Sequence, residues 1–479
     1  MTAPLWTLDA LVAASGGRLD AAGAPIDSGG IGSISIDTRS LRPGALFVAL
    51  KDQRDGHEFV PAAFAAGASA ALVSETYARQ PGDGALLRVD DPLRALERIA
   101  SAARARLARE ARIIAITGSA GKTTTKEMLR VCLSPLGATH ASAKSFNNHW
   151  GVPLTLASMP AATRYAVLEI GMNHSGEITP LTRLARPHVA IVTNVHAVHL
   201  GQFASVDEIA AAKAEIFAGL DVSGTGILNA DLPPAHVARL RSAVEASGAR
   251  VVTFGARESA DVRLADMALG EAGSTARASV AGRDAAFRVG APGRHLVMNA
   301  VAVLAALDAI GIADLDAAMR PLAGLGAGDG RGRRTVHGID GGRLMLIDES
   351  YNANPESMRV ALSAMALMPR ARYSRRVAVL GDMLELGPQA ADFHRGLKET
   401  AESCADVVYT AGPMMRVLHD ALAPGRGALW APTARELEAE LIAGLRPGDV
   451  VMVKGSNGSR MAALTAAIKA RYPEVAESA

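Results

Sequence analysis

IIAITGSAGKTTT, residues 113–125, decides the fold: an apolar strand runs into a glycine-bearing turn that ends in Lys122 and Thr123 at the start of a helix. Glycines let backbone N–H groups point into a concavity, and the helix N-terminus adds its dipole. Lys122 can reach the outer phosphates of a nucleotide, and the Thr123 hydroxyl can ligate Mg²⁺. Thr117, Gly118, Ser119, Ala120, Gly121, Lys122, Thr123 and Thr124 are therefore the candidate cradle for ATP or GTP. Only Ser119 and Ala120 separate Gly118 from Gly121, where the usual loop has four residues before its Gly-Lys pair. The loop is a shortened variant. A Gly-Lys-Thr run elsewhere is an ordinary turn before a helix, but here a strand precedes it and Lys126, Glu127, Met128 and Leu129 continue the helix.

Working outward, strands and helices alternate on both sides. The strands expected after the cradle are 166–170, 189–193, 226–229 and 251–254, with helical periodicity between them. That pattern predicts a doubly wound, P-loop ATPase-like domain with a mostly parallel sheet, over 91–326. Before it, short strands at 45–50 and 70–73 among Pro-Gly and Asp-Gly turns predict a small α/β unit over 1–90. An Ala- and Arg-rich helical segment, 91–112, joins the two, with Pro92 at a favoured early helix position. The run GLGAGDGRG, residues 324–332, breaks the alternation and reads as a hinge. Beyond it, strands expected at 344–348, 376–380, 406–410 and 449–453 predict a second open sheet, a Rossmann-like domain over 327–479, with functional residues at the strand ends.

Composition agrees with this three-domain α/β chain and excludes several alternatives. At roughly 100–200 residues per domain, 479 residues suggest about three. With 49% hydrophobic and 20% charged residues the chain is not disordered. Lys and Arg total 50 against 48 Asp and Glu, so no overall field recruits nucleic acid or an anionic membrane. Cys132 and Cys404 form no disulfide framework or metal spacing. No apolar run spans a bilayer, and the N-terminus, with Asp9 among its apolar residues, is a poor secretion signal, so a cytoplasmic location is expected.

Several polar residues fall where this fold places chemistry. Glu169 closes the strand before Gly171, at the sheet edge that presents the cradle; it is either a Mg²⁺ ligand or an ordinary strand-end acid. His196 and His199 follow the next strand and are either structural or functional. Lys213 lies in an apolar stripe with Ile209, Ile216, Phe217 and Leu220, on a helix opened by the capping box of Ser205 and Glu208. Either its stem packs on the core with the ammonium snorkelling out, or it is a lysine of shifted pKa or modified charge near the metal. His295 and Asn299 start a long apolar helix, where Asn299 can bond a base or serve as an exposed or capping group. Asp348, Glu349, Tyr351, Asn352 and Asn354 crowd a strand-to-helix turn, although Asn354 and Pro355 also suit a plain helix start. Lys454 and Ser456 repeat that strand-end placement.

Taken together, these segments resemble the Mur ligases of bacterial cell-wall synthesis. The resemblance is carried by the shortened loop TGSAGKT (117–123), NNHWGVPLTL (147–156), EIGMNH (169–174), SYNANP (350–355) and LGDMLELG (380–387), in that order over nearly the whole chain. It implies that ATP phosphorylates the terminal carboxylate of a UDP-MurNAc-tripeptide and that the amine of D-alanyl-D-alanine attacks the acyl phosphate. It further implies Thr123, Glu169 and His199 as Mg²⁺ ligands, and Lys213 as the lysine that family members carry as a carbamate, an anion that interacts with the magnesium site; Lys122, Glu169, His199 and Lys213 are the implied catalytic set. Asn299 and His295 match adenine contacts, and Arg333 and Asp348 match nucleotide contacts from the C-terminal domain, with Arg331 as the alternative arginine. Asn147 and Asn148 match the substrate side of the cleft, and Tyr351, Asn352 and Asn354 its nucleotide or dipeptide side. Ser35, Asp37, Thr38 and Arg39, followed by Pro43-Gly44 and Asp55-Gly56-His57, are similar to the family's UDP-sugar segment, with Ala45 where an acid is common. A monomer is expected.

Overall fold

The computed structural model describes residues 4–21, 30–143, 145–198, 200–271 and 273–475. Three sheets follow one another along the chain. The first has five strands, in the order Arg18–Asp20, Ala85–Val89, Ala70–Ser74, Ala45–Val48, Ser33–Ser35. All its pairs are parallel except the first.

Its joint to the central unit is an apolar seam. Asp91 caps the helix Pro92–Ala105 by accepting from the N–H groups of Leu93 and Arg94. The buried face of this helix, Ala95, Leu96, Ile99, Ala100 and Ala103, belongs to one continuous core running from Trp6 and Leu11 to Val152 and Leu168. The segment 91–112 is thus not helical throughout. It leaves the helix at Arg106, whose guanidinium stacks 3.7 Å from the Trp6 ring and donates to the carbonyls of Leu5 (2.9 Å) and Met159 (2.6 Å). Trp6 Nε1 in turn donates to Ala157 O at 2.8 Å. Trp6→Ala should therefore lower the unfolding free energy by roughly 3 kcal/mol or more, read from urea denaturation. A loss under about 1 kcal/mol would mean the seam is held elsewhere.

The central sheet has nine strands. The strand Arg112–Thr117 lies between Val189–Val192 and Tyr165–Glu169, all parallel, with Thr117 paired to Val192 and Ile116 to Glu169. The chain leaves Arg112–Thr117 toward Thr139–Ala141 on one side and later returns to Val189–Val192 on the other. This is a topological switch point, where a doubly wound sheet opens a crevice at its carboxyl edge. The far edge holds an unpredicted feature: Val262–Gly270, Gly273–Val280 and Arg283–Val289 form an antiparallel meander. Its inward residues include Ala276, Ala278 and Ala285, too small to give a strand signature in the sequence.

After the glycine run, a six-stranded sheet is ordered Arg333–Ile339, Gly342–Glu349, Asp449–Lys454, Arg375–Gly381, Val407–Ala411, Gly427–Ala431. Its first pair is an antiparallel hairpin, and the rest are parallel. Glu349 pairs with Lys454, and Leu380 is the partner of Lys454 on the other side, so this sheet also gathers its polar ends at one edge. No described helix is long and apolar enough to cross a membrane.

Candidate active site

A cleft of about 460 Å³ lies between the carboxyl edges of the central and C-terminal sheets. Ser119 to Thr124 form one wall. The helix Lys122–Leu133 begins after Gly121, whose φ of +81° suits glycine, and no side chain caps it. The N–H of Thr125 is bonded to Gly121 O, while Ser119 N and Ala120 N are held by Asn194, through its carbonyl (3.1 Å) and its Oδ1 (2.8 Å). The first-turn N–H groups of the helix remain to receive an anion. Asn194 thus shapes the loop, a role that the sequence did not disclose.

The loop is closely fitted. A Cβ on Gly121 would stand 2.7 Å from Asn299 Oδ1. Gly121→Ala should weaken ATP binding by about tenfold, because left-handed backbone costs alanine ~1–2 kcal/mol and the loop must also move off Asn299. Titration with a fluorescent ATP analogue checks this, and wild-type affinity would show that the loop tolerates the shift.

Glu169 is 1% exposed and is held on both oxygens: Thr123 Oγ1 donates to Oε2 at 2.7 Å and Asn147 Nδ2 donates to Oε1 at 2.8 Å. A buried carboxylate beside a cradle threonine suits Mg²⁺, which takes one or two carboxylates and completes its shell with phosphates and water. Among the described residues no group of three or more His, Cys, Asp or Glu could hold a metal by itself. His199 lies outside the described residues.

Lys122 Nζ donates to Gly118 O at 2.7 Å. Burial lowers its pKa first of all; the Glu169 charge opposes this and Arg331 adds to it. Lys213 is 2% exposed, so its amine does not snorkel into solvent. Its pKa is lowered well below the ordinary lysine value, chiefly by burial and then by Lys122. No acidic side chain pairs with it among the described residues. Burial and the neighbouring Lys122 thus both disfavour the charged form of this amine.

The remaining expected residues divide. Asn148 lines the cleft and caps the following turn through Gly151 N (2.9 Å). His295, Asn299, Tyr351, Asn352 and Asn354 all reach the cleft. Burial lowers the pKa of His295, as it does that of His196, which also lines the cleft. Asn354 Oδ1 is committed to Ser357 N as the cap of the helix Pro355–Ala366, so the helix-start reading holds for its side chain.

Arg331 reaches the cleft and stacks 4.1 Å from the Tyr351 ring, with Nη2 bonded to Ser145 Oγ (3.2 Å). Arg333 instead pairs with Asp329 at 2.6 Å, outside the cleft lining. Glu349 faces the cleft, paired with Lys454 at 3.2 Å, whereas Asp348 turns toward Ser350 (2.6 Å) and Lys469 (3.3 Å). Of these charged side chains Arg331, Glu349 and Lys454 face the cleft, where the expectation was Arg333, with Arg331 as the alternative, and Asp348.

Ser35, Asp37, Thr38 and Arg39 lie apart from this cleft, at the end of the strand Ser33–Ser35. Asp37 caps the short helix Thr38–Ser40, and its Oδ2 lies 2.7 Å from Arg39 Nη2.

A P-loop on a doubly wound sheet, faced by the strand ends of a Rossmann-like unit, defines the class: a nucleotide-binding enzyme whose site is completed by a second domain. Comparison with known proteins narrows it. The Mur ligase middle domain matches residues 116–307, and the Mur ligase glutamate ligase domain matches 332–457. UDP-N-acetylmuramoyl-tripeptide–D-alanyl-D-alanine ligase of Escherichia coli strain K12 is 35% identical, over 97% of this chain and 98% of its own. The enzyme of that name from Bacillus subtilis strain 168 is 38% identical, over 76% of each chain. MurF from Acinetobacter baumannii superposes with a TM-score of 0.81 at 29% identity, covering 96% of this chain and 98% of its own. MurF ligase from Thermotoga maritima, solved in complex with ADP, gives a TM-score of 0.74 at 25% identity over 91% and 97%. The chain belongs to the Mur ligase family.

Proposed function

We propose that this protein joins D-alanyl-D-alanine to UDP-MurNAc-tripeptide, giving UDP-MurNAc-pentapeptide, ADP and phosphate. The observation that carries the reading is the hydrogen-bonded run Thr123–Glu169–Asn147 at the mouth of the cradle, facing the strand ends of the C-terminal sheet across one cleft. Its relatives' names supply the substrates. A tripeptide carboxylate oxygen attacks the γ-phosphorus and ADP departs. The dipeptide amine then attacks the acyl carbon, phosphate leaves with the carboxylate oxygen, and the amine proton passes to solvent.

Carboxylate and triphosphate repel each other, so the step needs cations and backbone dipoles to hold them in line. Lys122 and the first-turn N–H groups face the phosphates. Thr123 and Glu169 would hold Mg²⁺, with His199 as a further ligand, and the ion would neutralise charge on the triphosphate. Lys213, a buried amine of low pKa, adds to CO₂ with loss of a proton, giving a carbamate anion beside Lys122. Asn299 and His295 contact the adenine side, while Arg331 meets the nucleotide from the C-terminal unit in place of Arg333. The uridine side falls to Ser35, Asp37, Thr38 and Arg39 in unit 1–90, which precedes the ATP unit 91–326 and the ligase unit 327–479. The enzyme acts as a monomer in the cytoplasm.

Incubation with ATP, Mg²⁺, each UDP-MurNAc-tripeptide and D-alanyl-D-alanine should yield the pentapeptide mass, with phosphate release requiring both peptide substrates. Phosphate release independent of the dipeptide would instead mark a nucleotide-gated binding protein.

A further inference from the structure

Lys126 lies one helical turn beyond Lys122 and is fully buried, at 0% exposure. Its Nζ donates to Ser142 O at 2.7 Å and lies 3.1 Å from Glu127 Oε1, while Glu127 Oε2 accepts from Arg130 Nε at 2.7 Å. Ser142 extends the ladder beyond Thr139–Ala141, donating its N–H to Val167 O. Its hydroxyl receives the N–H of Glu169 at 3.2 Å. From Ser142 the chain leads to Ser145, which holds Arg331, and to Asn147, which holds Glu169 Oε1.

Glu169 is therefore gripped at its backbone through Ser142 and at its carboxylate through Asn147. The two grips come from Ser142 and Asn147, close together in the chain, and Ser142 is itself pinned by Lys126. A methionine or leucine would fill the same volume without the desolvation cost of a buried amine, so packing alone does not call for lysine here. We propose that Lys126 is a positioning residue: it ties the nucleotide-binding helix to the segment that orients Glu169 for Mg²⁺ and Ser145 for Arg331. The proposal rests on the nucleotide-and-Mg²⁺ reading of the cleft.

The test measures binding of a methylanthraniloyl-labelled, non-hydrolysable ATP analogue to the full chain, first in EDTA and then across a Mg²⁺ titration. Groups that orient a metal ligand typically cost tenfold or more in metal affinity when removed, so Lys126→Met should raise the Mg²⁺ midpoint by about tenfold while analogue affinity in EDTA stays within about twofold. A lowered Tm with an unchanged Mg²⁺ midpoint would overturn the proposal, since a purely structural lysine gives that result. Should Lys126→Met fail to fold, Ser142→Ala removes only the hydroxyl that receives the Glu169 N–H. It should shift the midpoint several-fold in the same direction, and a wild-type midpoint in that variant would equally overturn the proposal. Wild-type protein whose analogue binding ignores Mg²⁺ would instead overturn the functional reading itself.

Discussion

Lys213→Ala is expected to lower kcat by about 10²–10³ while leaving ATP affinity nearly unchanged, the pattern of a group that acts on the transition state. The amine is buried, lacks an acidic partner among the described residues, and has its pKa depressed by burial and by the neighbouring Lys122. An ordinary charged lysine gains nothing from such a place. Under the proposed addition of CO₂, Lys213 would become an anion facing Lys122 and would give the site a charge that its sequence does not encode. Activity of the wild-type enzyme should therefore fall when CO₂ and bicarbonate are removed and recover when they are restored. A Lys213→Ala enzyme with full turnover would eliminate the role, and indifference to bicarbonate would eliminate the carbamate while leaving a role for the amine.

Lys122→Met should reduce kcat/KM by about 10²–10³, since it removes the one side-chain cation of the cradle itself. Its effect on stability should have the opposite sign. The folded state depresses the Lys122 pKa, mainly by burial, so folding disfavours the charged form. Neutral pH lies below the ordinary lysine pKa, where the unfolded chain keeps this group protonated, and the depressed group is then a cost to folding that methionine does not incur. The variant should melt at or above the wild-type temperature at pH 7 in the absence of nucleotide while having lost activity. A variant both inactive and markedly less stable would point to a structural lysine.

The cradle was legible because strand, turn and helix start are contiguous, and each residue type there has a mechanical reason. Glu169 was legible for the same cause: a parallel strand ends where its neighbour's loop begins, so one sheet edge collects both. What the sequence left open depended on facing rather than on order. Asp348 and Glu349 are adjacent in a strand, where successive side chains point to opposite faces, and only the packing of Lys469 and Lys454 shows which of them meets the cleft. Arg331 and Arg333 differ likewise by position, one inside the glycine run and one just past it, where Gly330 and Gly332, at φ +67° and +98°, redirect the chain. Asn194 gave no signal because it serves the loop backbone. The antiparallel meander beginning at Val262 was invisible because small residues, Ala276, Ala278 and Ala285, do much of its packing.

If the cleft activates a carboxylate by transferring phosphate to it, a carboxylate oxygen must leave with that phosphate. Tripeptide substrate labelled with ¹⁸O in its terminal carboxylate, incubated with ATP, Mg²⁺ and D-alanyl-D-alanine, tests this directly. One labelled oxygen is expected in the inorganic phosphate released with each pentapeptide formed. Unlabelled phosphate, or label recovered in AMP, would contradict it.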